Sequence, residues 1–409
     1  MKIALSVAEM SVGGIANFVL NLSQTLAAAG HEVLVIAQRP GVWWPRLAER
    51  NVNGYCLPRR RWDSVWQQAK RFAAYLTAEQ VDLLLVNIGI DNGLSMSALP
   101  LLPKQLPVLV ALHNDRPEVY TLAARHDPFW NCAVAGSPKV QQNAIAHFAK
   151  KKEVLWIPYG IHIPTDDPQT ALTNPTPLRL LFVGRLDDHQ KGIFRLPSIL
   201  ATCRQQQLPV QLTIIGDGPD QTRLCQLFKL AGVADLVELR GFQPHAQMLA
   251  ALQGHHGLLL PSNYEGSPLV LLEAQAHGCV PIAARLSGIT DQIVQDGVSG
   301  FLVNPAEVED YVRSIAQLLV PERWCMLRNN GIGLSKQHFS LNRMGERYLA
   351  LFTEMAQGAY PRPSARTRLY APAFHRFGWR DYLPAPLLSL HRQVGRRLLS
   401  RAWQRQEMV

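Results

Sequence analysis

Long apolar runs, paired cysteines and, outside one terminal stretch, net charge are what this chain lacks. No apolar run approaches the ~18–20 residues that span a bilayer, so no segment reads as a transmembrane helix. The opening MKIALSVAEM has one Lys and, between it and Glu9, six uncharged residues, which is short for a signal peptide. Six cysteines (Cys56, Cys132, Cys203, Cys225, Cys279, Cys325) include no CxxC pair. They read as free thiols of a reducing cytoplasm rather than a disulfide frame or a zinc site. A full GxGxxG after the first apolar segment is also absent, which leaves nicotinamide binding with little support.

What is present fits two globular domains with some 50 residues over: 409 residues, 47% apolar and 18% charged. The net charge of +10 is concentrated, since residues 361–409 hold ten Arg and no Lys against Asp381 and Glu407. The basic character therefore belongs to a terminal tail. Phe374, Phe377, Trp379, Tyr382 and Trp403 are interspersed there. Leu387, Leu390, Val394 and Leu398 form a partial amphipathic stripe that Arg401 interrupts. Such a tail suits an anionic membrane surface, although the same composition also packs on protein or binds nucleic acid.

The chain is organised around Leu258 to Ile282. Leu258 to Leu260 is a short buried strand, broken by Pro261, Ser262 and Asn263. Gly266 then allows close backbone approach to a ligand. Pro268 suits the first position of a helix with Ser267 as its N-cap. Leu269, Leu272 and Ala276 mark an apolar face, Gly278 a stop, and Val280 to Ala283 the next strand. Glu265 and Glu273 frame the turn with seven residues between them. Glu273 beside an apolar face needs a donor, from the protein or from a ligand hydroxyl. Counted from Pro268 it lies about 7.5 Å along the helix. A phosphate at the helix N-terminus and a carboxylate below it would span a nucleotide's diphosphate and ribose. The plain alternative is a strand–turn–helix with one surface and one capping glutamate.

Strand and helix alternate on both sides of this stretch. Lys2 to Val7 and His31 to Ala37 are strands about a helix marked by Ile15, Phe18, Val19, Leu22 and Leu26. Gly13 and Gly14 occupy the first turn, where doubly wound folds hold phosphate; a tight turn that merely needs glycine reads equally well. Val81 to Asn87, Val108 to His113, Cys132 to Ala135 and Val154 to Ile157 follow as strands, with helices at Val65 to Thr77 and Lys139 to Lys150. His113 closes its strand, the end at which parallel sheets place ligands. Residues 164–177, with four prolines, form a linker. The pattern then restarts with Leu178 to Val183, Leu212 to Ile215 and Val237 to Leu239, and later Phe301 to Val303. Helices are expected at Met248 to Leu252, Val308 to Leu319, Glu322 to Asn329 and Leu341 to Gln357. In the loop GRLDDHQKG, Arg185 and Lys191 would clamp a diphosphate, or Asp187 and Asp188 would make it a solvated loop of mixed charge.

Taken together, VGGIANFVLNL with AGHEVLVIA, FVGRLDDHQKG, IIGDGP, LLLPSNYEGSPLVLLEAQAHGCVPIAA and SGITDQIVQDGVSGFLV resemble the family-4-type retaining glycosyltransferases of the GT-B fold (glycosyl transferases group 1). The resemblance covers about residues 1–355 and is specific through the order of its motifs and the Glu-x7-Glu pair. It implies an α/β protein of two Rossmann-like parallel-sheet domains facing across a cleft, followed by a basic C-terminal tail. The domains would be residues 1–165 on the acceptor side and 178–340 for the nucleotide sugar. A helix at 341–357 would return to the first domain, with the tail at 361–409. Arg185 and Lys191 would neutralise the donor diphosphate, and Glu273 would bind the ribose. Glu265 with Gly266, Ser267, Pro268 and Leu269 would contact the transferred sugar and phosphate. His113 would approach the sugar, and Gly13 and Gly14 would leave room for phosphate and acceptor. Ser267 stands where the family usually has a bulky apolar residue, and Asp291 where it often has Glu, departures that bear on the donor sugar.

The expected reaction moves a sugar from a nucleoside-diphosphate sugar, expected to be a UDP-sugar, to a glycan or lipid-linked acceptor of cell-surface polysaccharide or lipopolysaccharide. Cations and a helix N-terminus stabilise the leaving diphosphate. No metal or other cofactor is expected, and the chain has no Asp-x-Asp triplet. No nucleic-acid partner is expected; the expected location is cytoplasmic, with the tail as the part that would bring the protein to the inner membrane face. A nucleotide-sugar epimerase or phosphorylase, a non-catalytic sugar-nucleotide-binding subunit and a dehydrogenase are the rival readings.

Overall fold

The computed structural model describes residues 1–11, 13–57, 63–89, 93–148, 152–164 and 176–361. Residues 165–175 of the expected linker and 362–409 of the basic tail lie outside the described residues. The chain divides into two compact units. One comprises Met1–Val134, Asn143–Leu155 and, of the described residues, Tyr348 to Pro361; the other comprises Ala135–Gln142 and Trp156–Arg347.

The first sheet has seven strands: β1 (Lys2–Glu9), β2 (Glu32–Arg39), β3 (Asn53–Cys56), β4 (Leu83–Ile88), β5 (Val108–Leu112), β6 (Cys132–Ala135) and β7 (Val154–Trp156). Their order is β3-β2-β1-β4-β5-β6-β7. β1 pairs in parallel with both β2 and β4. The second sheet has six: β8 (Leu178–Val183), β9 (Val210–Ile215), β10 (Val237–Gly241), β11 (Gly257–Leu260), β12 (Val280–Ala284) and β13 (Phe301–Val303). Their order is β10-β9-β8-β11-β12-β13, with β8 in parallel register with β9 and β11. In both sheets the first six strands run in the order 3-2-1-4-5-6, the first sheet adding a seventh, so direction reverses between the first and fourth strands. That reversal point, at the carboxyl ends of the strands, is where open α/β sheets bind ligands.

The central strands are apolar along most of their length, Ser6 of β1 and Asn87 of β4 being exceptions, because helices cover both faces of a parallel sheet. β4, β5, β11 and β12 are buried at every residue. The second core gathers Leu180, Phe182, Leu259, Ile282 and Val303 with Leu196, Phe228, Tyr311 and Trp324 from surrounding helices. The edge strands differ: β3 (NGYC) and β10 (VELRG) have no fully buried residue. β3 was not legible as a strand because Asn53–Gly54 reads as a turn.

Two helices differ from expectation. Glu322 to Asn329 is part of a longer helix, Pro321–His338, which runs through Gly331 and Gly333. Each glycine costs about 1 kcal/mol in a helix interior. Gly331 lies against the Gln275 side chain, where an added Cβ would stand 3.4 Å from Cγ, so a close helix contact outweighs propensity. The helix after β11 is Leu269–Ala276, with Pro268 as its N-cap at ψ 95 and no side-chain cap bond. Ser267 is thus not the N-cap, and Pro268 is not the first helical residue. Glu273 stands four residues along from Leu269, about 6 Å. The helix ends as expected at Gly278: Gly278 N–H bonds Gln275 O at 3.1 Å and Cys279 N–H bonds Ala274 O at 2.9 Å, a Schellman pair.

Candidate functional site

In the second unit the reversal point lies between β8 and β11, and the loops leaving these strands are stitched together. After β8 the segment GRLDDHQKG is not all loop: Asp188–Lys191 forms one helical turn closed by Gly192 at φ 58. A Cβ on Gly192 would stand 2.2 Å from Pro261 O, so only glycine lets this turn meet the end of β11. Asn263 N–H donates to Gln190 O at 2.8 Å, and its Nδ2 donates to Asp188 O and His189 O at 3.0 and 3.1 Å. Arg195 Nη1 donates to Pro261 O at 2.9 Å.

These bonds bring Lys191 onto Glu265. Lys191 Nζ lies 2.6 Å from Glu265 Oε1, and the side chains are 14% and 6% exposed. Ser262 Oγ donates to the same oxygen at 2.6 Å. An ammonium has three donors, so one directed at Glu265 leaves chemistry for an anion. Arg185 has a separate partner, with Nη2 2.8 Å from Asp187 Oδ2 and its side chain 62% exposed. So exposed a pair holds its guanidinium only weakly. Asp188, in turn, is structural: its Oδ1 accepts from Phe194 N–H and its own N–H bonds Asp220 Oδ2.

Glu265, Gly266 and Pro268 are buried and Ser267 is half-buried, between β11 and the uncapped start of helix Leu269–Ala276. Leu271 N–H is taken by Pro268 O at 3.0 Å, and no side chain caps the helix start, where first-turn N–H groups favour an anion. Glu273, 6% exposed, takes a bond of 2.8 Å from His245 Nε2 to its Oε1. His245 is the first residue of helix His245–Gln253. The carboxylate therefore has the protein partner that its burial demands. His277 Nδ1–H bonds Glu273 O, and burial lowers the pKa of His277.

In the first unit Gly13 caps helix Gly14–Ala28 at φ 156, a conformation that only glycine adopts readily. Asn17 N–H bonds its carbonyl, no side chain caps the helix, and both glycines are exposed. His113 follows β5 directly and is 5% exposed. Its Nε2 lies 2.9 Å from Asn87 Oδ1, and the Phe18 ring meets it edge-on at 5.0 Å. Burial lowers its pKa to about 3, so the imidazole is neutral at pH 7.

Ser262, His245 and Asn87 carried no signal in the sequence. Their partners lie 3, 28 and 26 residues away, and only the folded sheets bring the distant pairs together. Among the described residues no group of three or more His, Cys, Asp or Glu is placed to hold a metal ion.

Two family models match successive parts of the chain between residues 12 and 330. "Glycosyltransferase Family 4" covers residues 12–163 and "Glycosyl transferases group 1" covers residues 165–330. The chain belongs to this family, the family-4-type glycosyltransferases of GT-B fold. It is 30% identical over 166 residues to the putative colanic acid biosynthesis glycosyltransferase WcaL of Escherichia coli K12, covering 39% of each chain. The chain thus spans about two-fifths of the length of that curated relative. Among solved structures, Anabaena HepE in complex with UDP and glucose superposes at TM-score 0.73 with 19% identity, covering 87% of this chain and all of that one. The apo lipopolysaccharide outer core galactosyltransferase WaaB does so at 0.66 with 18% identity, covering 87% of this chain and all of that one.

Proposed function

We propose that this protein is a retaining glycosyltransferase that moves a hexosyl group from a nucleoside-diphosphate sugar, a UDP-sugar, to a glycan or lipid-linked acceptor of cell-surface polysaccharide or lipopolysaccharide. The observation that carries the proposal is the Lys191–Glu265 pair at the reversal point of the second sheet, beside an uncapped helix start. A cation, a carboxylate and first-turn N–H groups at such a point suit a phosphorylated sugar. Lys191 and Arg185 meet the charge that grows on the departing diphosphate, helped by the N–H groups near Gly266 to Leu269. Charge neutralisation by these groups is electrostatic and does not call for a metal. Glu273 accepts from ribose hydroxyls, and Glu265 accepts from the transferred sugar while orienting Lys191. His113 offers the sugar a neutral imidazole, and Gly13 and Gly14 keep the first unit's helix start open.

The names of WcaL and WaaB support an acceptor of the surface-polysaccharide class, and the UDP complex of HepE supports the donor base. Among the described residues no helix is long and apolar enough to cross a membrane. The ten Arg of residues 361–409 favour docking on anionic lipid at a membrane surface.

A panel of UDP-, GDP- and ADP-sugars, read by thermal shift and then by transfer to lipid-linked oligosaccharide, tests the proposal. UDP-sugars stabilise the protein, and the product keeps the donor's anomeric configuration. Stabilisation by NAD and by no nucleoside diphosphate would revive the dehydrogenase reading.

A further inference from the structure

We infer that Asn87 is a positioning residue for His113: it holds the imidazole in the tautomer that carries its proton on Nε2. The inference deepens the proposed function and rests on it only for the ligand that His113 meets. The tautomer itself follows from hydrogen-bond chemistry within the first unit.

Asn87 lies near the carboxyl end of β4 and is 1% exposed. Its Nδ2 donates to Ser6 O at 3.1 Å, and Ser6 sits on β1 in register with Val86 of β4. The position of that carbonyl is therefore fixed by the sheet. A carbonyl oxygen only accepts, so the amide must turn its nitrogen to Ser6. The reverse orientation would set two acceptor oxygens against each other in a buried place, which is costly. With the nitrogen so placed, Oδ1 faces His113 Nε2 at 2.9 Å. An amide oxygen also only accepts, so Nε2 must carry the proton, and Nδ1 is the nitrogen with the lone pair. The chain of direction runs from a backbone ladder through one amide to one ring.

The neighbours agree with an uncharged ring. Phe18, from helix Gly14–Ala28, packs edge-on against the imidazole, and Tyr348, from helix Leu341–Ala356, packs on Phe18. Asn87 on β4 is neutral, and burial lowers the pKa of His113. Toward the proposed sugar substrate, His113 is then a fixed, neutral group with a defined donor side and acceptor side. An imidazolium is disfavoured there.

The test is a two-bond ¹H–¹⁵N correlation on the full chain labelled with ¹⁵N-histidine, with the His113 signals identified by their loss in His113→Gln. The expected pattern is a neutral ring protonated on Nε2, unchanged from pH 8 to pH 5. A ring protonated on Nδ1, or one that titrates in this range, overturns the inference. In Asn87→Leu the signals shift toward a tautomer mixture and kcat/KM falls about tenfold, the scale of one hydrogen bond to a substrate. Asn87→Asp supplies a carboxylate that stabilises imidazolium, and the His113 signals then titrate at a higher pH. Unchanged His113 signals in both folded variants would also refute the role. The wild-type spectrum decides the tautomer even if neither variant folds. A locked tautomer in a protein that transfers no sugar would leave this inference standing and count against the function alone.

Discussion

The two sheets share one order over their first six strands and put different chemistry at or beside the reversal point. In the second unit the loops after β8 and β11 meet through an ion pair, Lys191 with Glu265, reinforced by Ser262. In the first unit the ends of β4 and β5 meet through a neutral chain, Ser6 O to Asn87 to His113. The fold therefore fixes where a ligand is offered backbone and side chains, while residue identity fixes the charge it meets. The proposed diphosphate site has a cation held by a carboxylate. A site that presents a hydrogen-bonding ring needs it buried and oriented.

Breaking the charged side should have the largest effect. Lys191→Ala leaves Glu265 buried without its cation, costing about 3–5 kcal/mol in urea unfolding. It also removes a cation from the proposed diphosphate site, and transfer should fall about 10²- to 10³-fold. The double variant Lys191→Met with Glu265→Gln should recover much of the stability and none of the activity. Recovery of both would make the pair purely structural.

The neutral side should respond to pH. The folded pKa of His113 is depressed to about 3 from 6.5 by burial, so the unfolded chain takes up the proton first. Its contribution to stability is intact above pH 6.5 and is lost as pH falls from there toward 3. At pH 5 the loss is about 2 kcal/mol relative to pH 7. The difference in urea stability between pH 7 and pH 5 should shrink by that amount in His113→Gln.

His245→Ala removes the bond to Glu273 and should weaken nucleoside-diphosphate binding about tenfold in calorimetry, with a smaller change in kcat. Equal losses in kcat and affinity would move His245 from ribose positioning to the reaction itself. The smallest effect belongs to the exposed Arg185–Asp187 pair. Asp187→Asn should leave stability within about 0.5 kcal/mol, which urea unfolding can check.

Much of the architecture was legible because parallel strands covered on both faces are continuous apolar runs. Cys132–Ala135, Leu178–Val183 and Phe301–Val303 begin and end where those runs do. β3 escaped because an edge strand is only half-buried and Asn53–Gly54 carries turn chemistry. The length of Pro321–His338 escaped because packing on Gln275 overrides two glycines. Lys191, Glu265 and Glu273 stood out singly, by residue type and spacing. That Lys191 and Glu265 touch depends on β8 lying beside β11, and that Glu273 meets His245 depends on a neighbouring helix start. Asn87 was invisible for the same reason: its role is the direction of an amide, and that direction is set by a strand some 80 residues earlier.

The central claim is that the reversal point of the second sheet holds a nucleoside diphosphate. Isothermal titration of UDP against the full chain, the Lys191→Ala variant and the Glu273→Gln variant tests it most directly. Binding to the wild type, lost in folded Lys191→Ala and weakened in Glu273→Gln, is the expected result. UDP binding of equal strength in all three would contradict the account.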